Sequence, residues 1–199
     1  MIPPLPIVLA SGSPRRKQLL AKLVNSFEVE VSEVDEDELT VQDPWETARL
    51  LASAKAEAVA KARSANSNAG CIVIGGDTVV AVPCEGGYLQ LAKPESTADA
   101  VRMLKLLSGR RHAVITAISV VTPTRTLCQD DTAYVSFREL SDFEIANYVE
   151  TKEPMDKAGA YAIQGGANSF VSALEGDVET VIGLSTQVLQ NLFAQLFGT

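Results

Sequence analysis

The stretch Ile7–Leu23, IVLASGSPRRKQLLAKL, decides the fold class. An apolar strand leads into a turn of small residues, and the turn into a helix whose leucines recur at helical spacing. Ser13 is a good N-cap and Pro14 suits the first helical position, so Arg15 and Arg16 fall in the first turn. That turn is the positive end of the helix dipole, where cations are mildly unfavourable and anions are welcome. Strand followed by helix predicts an α/β chain, and the paired arginines predict an anion near the helix start.

The remaining chain continues the mixture. FEVEVSEV alternates like a half-buried strand with Phe27, Val29 and Val31 on one side, and the acidic run Asp35–Leu39 reads as a solvated loop. Pro44 opens a long helix, and CIVIGGDTVVAV is an apolar strand that two glycines interrupt before it resumes. STADAVRMLKLLSG is a helix with a capping-box start at Ser96 and Asp99 and a stop at Gly109. HAVITAISVV and CQDDTAYVSF, separated by TPTRT, predict a hairpin. SDFEIANYV carries a second capping box at Ser141 and Glu144. TKEPMDKAGAYAIQGGANSF reads as a glycine-rich loop, and STQVLQNLFAQLF as a closing amphipathic helix. The expectation is a mixed sheet flanked by helices, in one domain spanning residues 1–199.

Composition narrows the function. The 199 residues are 46% apolar and 21% charged, ordinary for a globular protein with a real core. A formal net charge of −8 argues against general adhesion to nucleic acid or anionic membrane, so a basic site must be a local cluster. Cys71, Cys84 and Cys128 show no C-x-x-C spacing, which fits free thiols in a reducing compartment. MIPPLPIVLA lacks a signal peptide's basic region, and no apolar run approaches a membrane span. The chain reads as cytoplasmic.

Several side chains sit oddly in this pattern. On the long helix Ala48, Leu51, Ala52, Val59 and Ala62 form an apolar stripe with Lys55 at its centre. Either Lys55 snorkels outward along its methylenes, or its ammonium points into a cleft holding an anion; a buried lysine needs a negative partner. Asp77 lies between apolar β-type runs, directly after two glycines. It is either a turn aspartate bonding nearby amides or a general base or metal ligand at a strand end. Lys93, before Pro94, lies in extended backbone. Gln164 either caps loop backbone or offers its amide to the O4 and N3–H edge of uracil or thymine. His112 is the only histidine and reads as a strand-start residue, which leaves no Ser-His-Asp triad or histidine metal cluster without it. Neither the Walker nor the Rossmann glycine string is present. One arrangement gathers these residues: an anion at the Ser13 helix end, met by Arg15, Arg16, Lys55 and Lys93, with Asp77 placed to activate water. Two arginines and two lysines suit a polyphosphate.

LASGSPRRKQLLAKL, GGDTVV, AKPES, LSGRRHAVITAISVV and YVETKEPMDKAGAYAIQG, in this order, resemble the Maf family of nucleoside triphosphate pyrophosphatases over nearly the whole chain. The resemblance implies two lobes around a cleft, as in the inosine triphosphate pyrophosphatases, commonly a homodimer, and a divalent metal, Mg²⁺ or Mn²⁺. It implies hydrolysis between the α and β phosphates. Carried over by motif, Asp77 is the proton acceptor, while Ser13, Arg16, Glu33, Lys55 and Lys93 line the phosphate and metal site. Arg15, Thr78 and Gln164 match positions associated with base choice. Glu33 is either a magnesium ligand or a strand-end carboxylate paired with a lysine, and Asp156 and Lys157 carry the same ambiguity. SPRR and KAGAYAIQG resemble the subgroup acting on dTTP and UTP. Two departures stand out: Gly76 replaces the usual alanine, leaving the carboxylate in place, and GLST at Gly183–Thr186 replaces G-L-P, affecting how the last helix begins. The rival expectation is a nucleotide sensor of cell division that binds without turnover.

Overall fold

The computed structural model describes residues 5–66 and 70–198. Seven strands form a mixed sheet: β1 (Ile7–Leu9), β2 (Glu28–Val29), β3 (Ile72–Cys84), β4 (Gly87–Leu91), β5 (Arg111–Val121), β6 (Thr126–Phe137) and β7 (Val171–Glu175). Their order is β2-β1-β3-β5-β6-β7, with β4 added to β3. β1 runs parallel to β2 and β3, whereas β4 is antiparallel to β3 and β7 to β6. The helices are α1 (Pro14–Leu20), α2 (Pro44–Asn66), α3 (Thr97–Leu107), α4 (Asp142–Glu150), α5 (Val178–Ile182) and α6 (Thr186–Phe197). The mixed α/β expectation holds. Among the described residues no helix is long and apolar enough to cross a membrane.

The chain divides into two compact units. The first comprises Met1–Asp77, Thr116–Asp131 and Gly183–Thr199. Val8, Ala10 and Val73 of its strands pack against Ala56 and Val59 of α2. Ser13 caps α1, its hydroxyl accepting from the Arg16 N–H, as the sequence predicts. Ser185 caps α6 in the same way, through the Val188 N–H. Three expectations need correction. The FEVEVSEV strand shrinks to two residues at the sheet edge, paired with β1, and Val29 and Val31 are 43% and 65% exposed. The glycines do not interrupt β3, which runs unbroken through both. The buried stripe of α2 ends at Val59: Ala62 is exposed, and Ala56 fills the place instead.

The second unit comprises Thr78–Ile115 and Thr132–Ile182. Its core gathers Val80, Leu104, Val114, Val135, Ile145 and Phe170. Phe137 meets His112, Tyr161 and Phe170 edge to face at centroid distances of 5.1, 4.9 and 5.9 Å. His112 is fully buried in β5, with Nε2 2.9 Å from the Tyr161 hydroxyl. Burial holds its pKa down, from 6.5 to about 4. The glycine-rich segment is not a featureless loop but three 3-10 turns, Glu153–Asp156, Ala158–Ala160 and Gly166–Phe170. Gly159 has φ +69°, and a Cβ there would lie 2.8 Å from a Val80 methyl, so only glycine lets the segment approach β3. Its N–H donates to the Ala92 carbonyl at 3.1 Å, next to Lys93.

Candidate active site

The first unit assembles a charged cluster from three separated stretches. Side chains alternate along a strand, so Gly75 and Asp77 face one side of β3 and Gly76 the other. A Cβ on Gly75 would come within 2.3 Å of the Ala52 carbonyl and 2.8 Å of the Ala56 nitrogen. The missing side chain therefore lets the backbone of α2 lie directly against the strand. Lys55, one residue before Ala56, then reaches the Asp77 carboxylate at 2.7 Å. Both side chains are close to buried, 12% and 10% exposed, so the pair is shielded from bulk water. The ammonium does not snorkel to solvent. It lies between two carboxylates, for Glu36 reaches it as well, at 2.7 Å.

Gly76 serves a different neighbour. A Cβ there would sit 3.3 Å from Arg16 Nε. Arg16 donates from Nε to the Gly183 carbonyl at 2.9 Å and from Nη1 to the Ser11 hydroxyl at 3.2 Å. Partial burial pulls its pKa down, and the nearby negative charge of Asp77 opposes that pull. The second arginine of the first turn is thus held by a carbonyl 167 residues away, beside a carboxylate. Ser11 also accepts from the Ser13 N–H at 3.3 Å, tying the turn to the arginine it precedes. Arg15 is half-buried beside it.

Of the residues named from sequence, Ser13, Arg15, Arg16, Lys55 and Asp77 fall in this unit. Glu33 is exposed there, on the loop that also carries Glu36. Thr78, Lys93 and Gln164 belong to the second unit: Thr78 follows Asp77 on β3, Lys93 is exposed just after β4, and Gln164 is exposed in a turn closed by the Gly165 N–H on the Ala162 carbonyl at 3.0 Å. Asp156 and Lys157 bond each other, and the Lys157 ammonium also donates to the Glu153 carbonyl. Sequence reasoning missed Glu36, Ser11 and Gly183. A signal existed for the first, since a lysine on an apolar stripe demands a carboxylate and the acidic run offers several.

Among the described residues no cluster of three or more His, Cys, Asp or Glu side chains converges. Asp77 and Glu36 still present carboxylate oxygens on either side of one cationic group. Carboxylate oxygens are the donor type that a hard divalent cation takes, and here both reach the Lys55 ammonium.

The family profile described as Maf-like protein matches residues 6–196. The dTTP/UTP pyrophosphatase of Koribacter versatilis is 43% identical over 178 residues, covering 89% of this chain and 88% of that one. The protein of the same name from Aquifex aeolicus is 42% identical over 190 residues, covering 96% and 95%. The solved Ham1 protein of Staphylococcus aureus superposes with a TM-score of 0.54 at 20% identity, over 96% of this chain and 98% of that one, a likeness of fold alone.

Proposed function

This chain belongs to the Maf-like family, and from that premise we propose that it is a nucleoside triphosphate pyrophosphatase. Its substrates are dTTP and UTP, the nucleotides in the names of its relatives, and the family resemblance puts the cleavage between the α and β phosphates, giving the monophosphate and pyrophosphate. The observation that supports it most is the Lys55 ammonium held between the Asp77 and Glu36 carboxylates, with Arg16 anchored close enough to feel both.

Asp77 accepts the proton of the water that attacks the α-phosphate. Lys55 and Arg16 meet charge that builds on the phosphoryl oxygens and the departing pyrophosphate, and partial exclusion of water strengthens both interactions. Asp77 and Glu36 are the residues that would hold a divalent cation, Mg²⁺ or Mn²⁺, which supplies charge neutralisation on the phosphates. Glu33 remains in the reading as a further metal ligand. Lys93 enters as a phosphate-binding residue, Ser13 and Arg15 as nucleotide-binding residues, and Thr78 and Gln164 as residues of base choice, all through the family resemblance. The protein acts on free nucleotides in the cytoplasm, as a homodimer.

Incubation of the pure chain with Mg²⁺ and dTTP tests the reading. Equal release of monophosphate and pyrophosphate supports it. Saturable binding without products instead makes the protein a nucleotide sensor. Chelation by EDTA is expected to abolish turnover and Mg²⁺ to restore it; full activity in EDTA would remove the metal from the scheme.

A further inference from the structure

We propose that Glu153 is a positioning residue for base selection, acting through the turn that presents Gln164. This rests on the functional reading above and concerns only the second unit. Gln164 borders a cavity of about 590 Å³ lined by the apolar Ile163, Val171, Leu174 and Val178 and by a second amide, Asn168. Apolar walls with few polar groups suit a flat heterocycle, whose edge the amides then read. Such reading discriminates only if the amide is held still, because a misplaced donor and acceptor pair recognises nothing in particular.

Gln164 lies in a turn whose following residues are Gly165 and Gly166. Gly165 faces the Glu153 carboxylate, and Gly166 lies between that carboxylate and the Tyr148 ring. Glu153 Oε2 accepts the Gly166 N–H at 2.9 Å. A Cβ built on Gly165 would fall 1.6 Å from Glu153 Oε1, and one on Gly166 3.3 Å from Oε2. Gly165 thus makes room for this carboxylate and Gly166 bonds it through its N–H, and neither needs a left-handed backbone. Glu153 is itself fixed: its carbonyl accepts from Lys157 and its N–H donates to the Thr151 hydroxyl at 3.2 Å. The buried Pro154 follows at once. A charged acceptor on a backbone N–H is stronger than a neutral one, so this bond restrains the chain directly after Gln164.

Steady-state kinetics of the full chain with UTP and ATP test this in the wild type, E153Q, E153A, G165A and the E153A/G165A double variant. E153A is expected to raise KM for UTP about tenfold with kcat within about twofold, and to erode the UTP-over-ATP preference by a similar factor. E153Q keeps an acceptor and restores the wild-type KM. G165A expels the carboxylate and matches E153A, and the double variant is no worse than either, since the methyl then occupies vacated space. An unchanged KM and preference in E153A overturns the proposal. So does an equal loss on both nucleotides carried by kcat, which marks a general structural defect. Should E153A fail to fold, G165A with wild-type KM overturns it equally. If the wild type hydrolyses UTP and E153A matches it, only this inference falls. If the wild type does not hydrolyse UTP, the functional reading falls and takes this with it.

Discussion

Two adjacent glycines on β3 have opposite neighbours, and substitution should separate them. Gly75→Ala drives a methyl into the backbone of α2, which cannot yield as a side-chain tip would. We expect a loss of about 1–3 kcal/mol in unfolding free energy from overpacking, and a fall in turnover as Lys55 is pushed from Asp77. Gly76→Ala meets Arg16 Nε at 3.3 Å and the Ala117 carbonyl at 3.5 Å, contacts that need give by only a few tenths of an ångström, so it should cost less stability and activity than Gly75→Ala. Thermal unfolding and kcat on both variants check the contrast. Asp77→Asn should keep the fold while lowering turnover about a hundredfold or more, on general-base magnitudes; near-normal turnover would exclude Asp77 as the base. At this scale the sequence was partly legible. Lys55 and Asp77 announced themselves because each is a charge inside an apolar pattern. Glu36 did not, for a carboxylate among carboxylates has no pattern to break, and only the folded loop selects it for Lys55.

Among the elements, helices whose caps involve a hydroxyl followed by a carboxylate were readable, because the bonds are local. The capping box of α4 is complete: Ser141 Oγ accepts the Glu144 N–H, and the Glu144 carboxylate accepts the Ser141 N–H. At α3 only half forms, since Asp99 is one methylene shorter and accepts from the Glu95 N–H instead. Ser141→Ala should cost about 1 kcal/mol. Arg138 at 2.6 Å, with the Ser141 bonds, lowers the Glu144 pKa from 4.5 to about 2. A carboxylate with a depressed folded pKa adds stability above its unfolded value, and loses it as pH falls through the folded one. The melting-temperature gap between wild type and Glu144→Gln should therefore be full above about pH 5 and close as pH falls from 4.5 towards 2. A constant gap would show that the charge is irrelevant. Edges were less legible than helices. β2 and β7 depend on which strand arrives beside them, and alternation alone made FEVEVSEV too long.

For the molecule as a whole, a buried histidine makes stability sensitive to mild acid. His112 is buried neutral, and its folded pKa of about 4 lies below the ordinary 6.5. As pH falls through 6.5 the unfolded chain takes the proton first, so stability drops between about pH 6.5 and 4, by on the order of 3 kcal/mol, and is unaffected by this group above that window. His112→Gln should flatten the profile there in chemical denaturation. The hydrophobic pattern of β5 made the strand legible, yet the polar pairing of its histidine with Tyr161, 49 residues on, left no trace in it.

The carbonyl of Gly183 that secures Arg16 comes from a segment far along the chain from α1. During synthesis, then, the arginine emerges 167 residues before that carbonyl, with the neighbouring Ser11 hydroxyl as its local partner. A ribosome-stalled fragment ending at Ile182 would carry every charged residue of the cluster and still lack its brace.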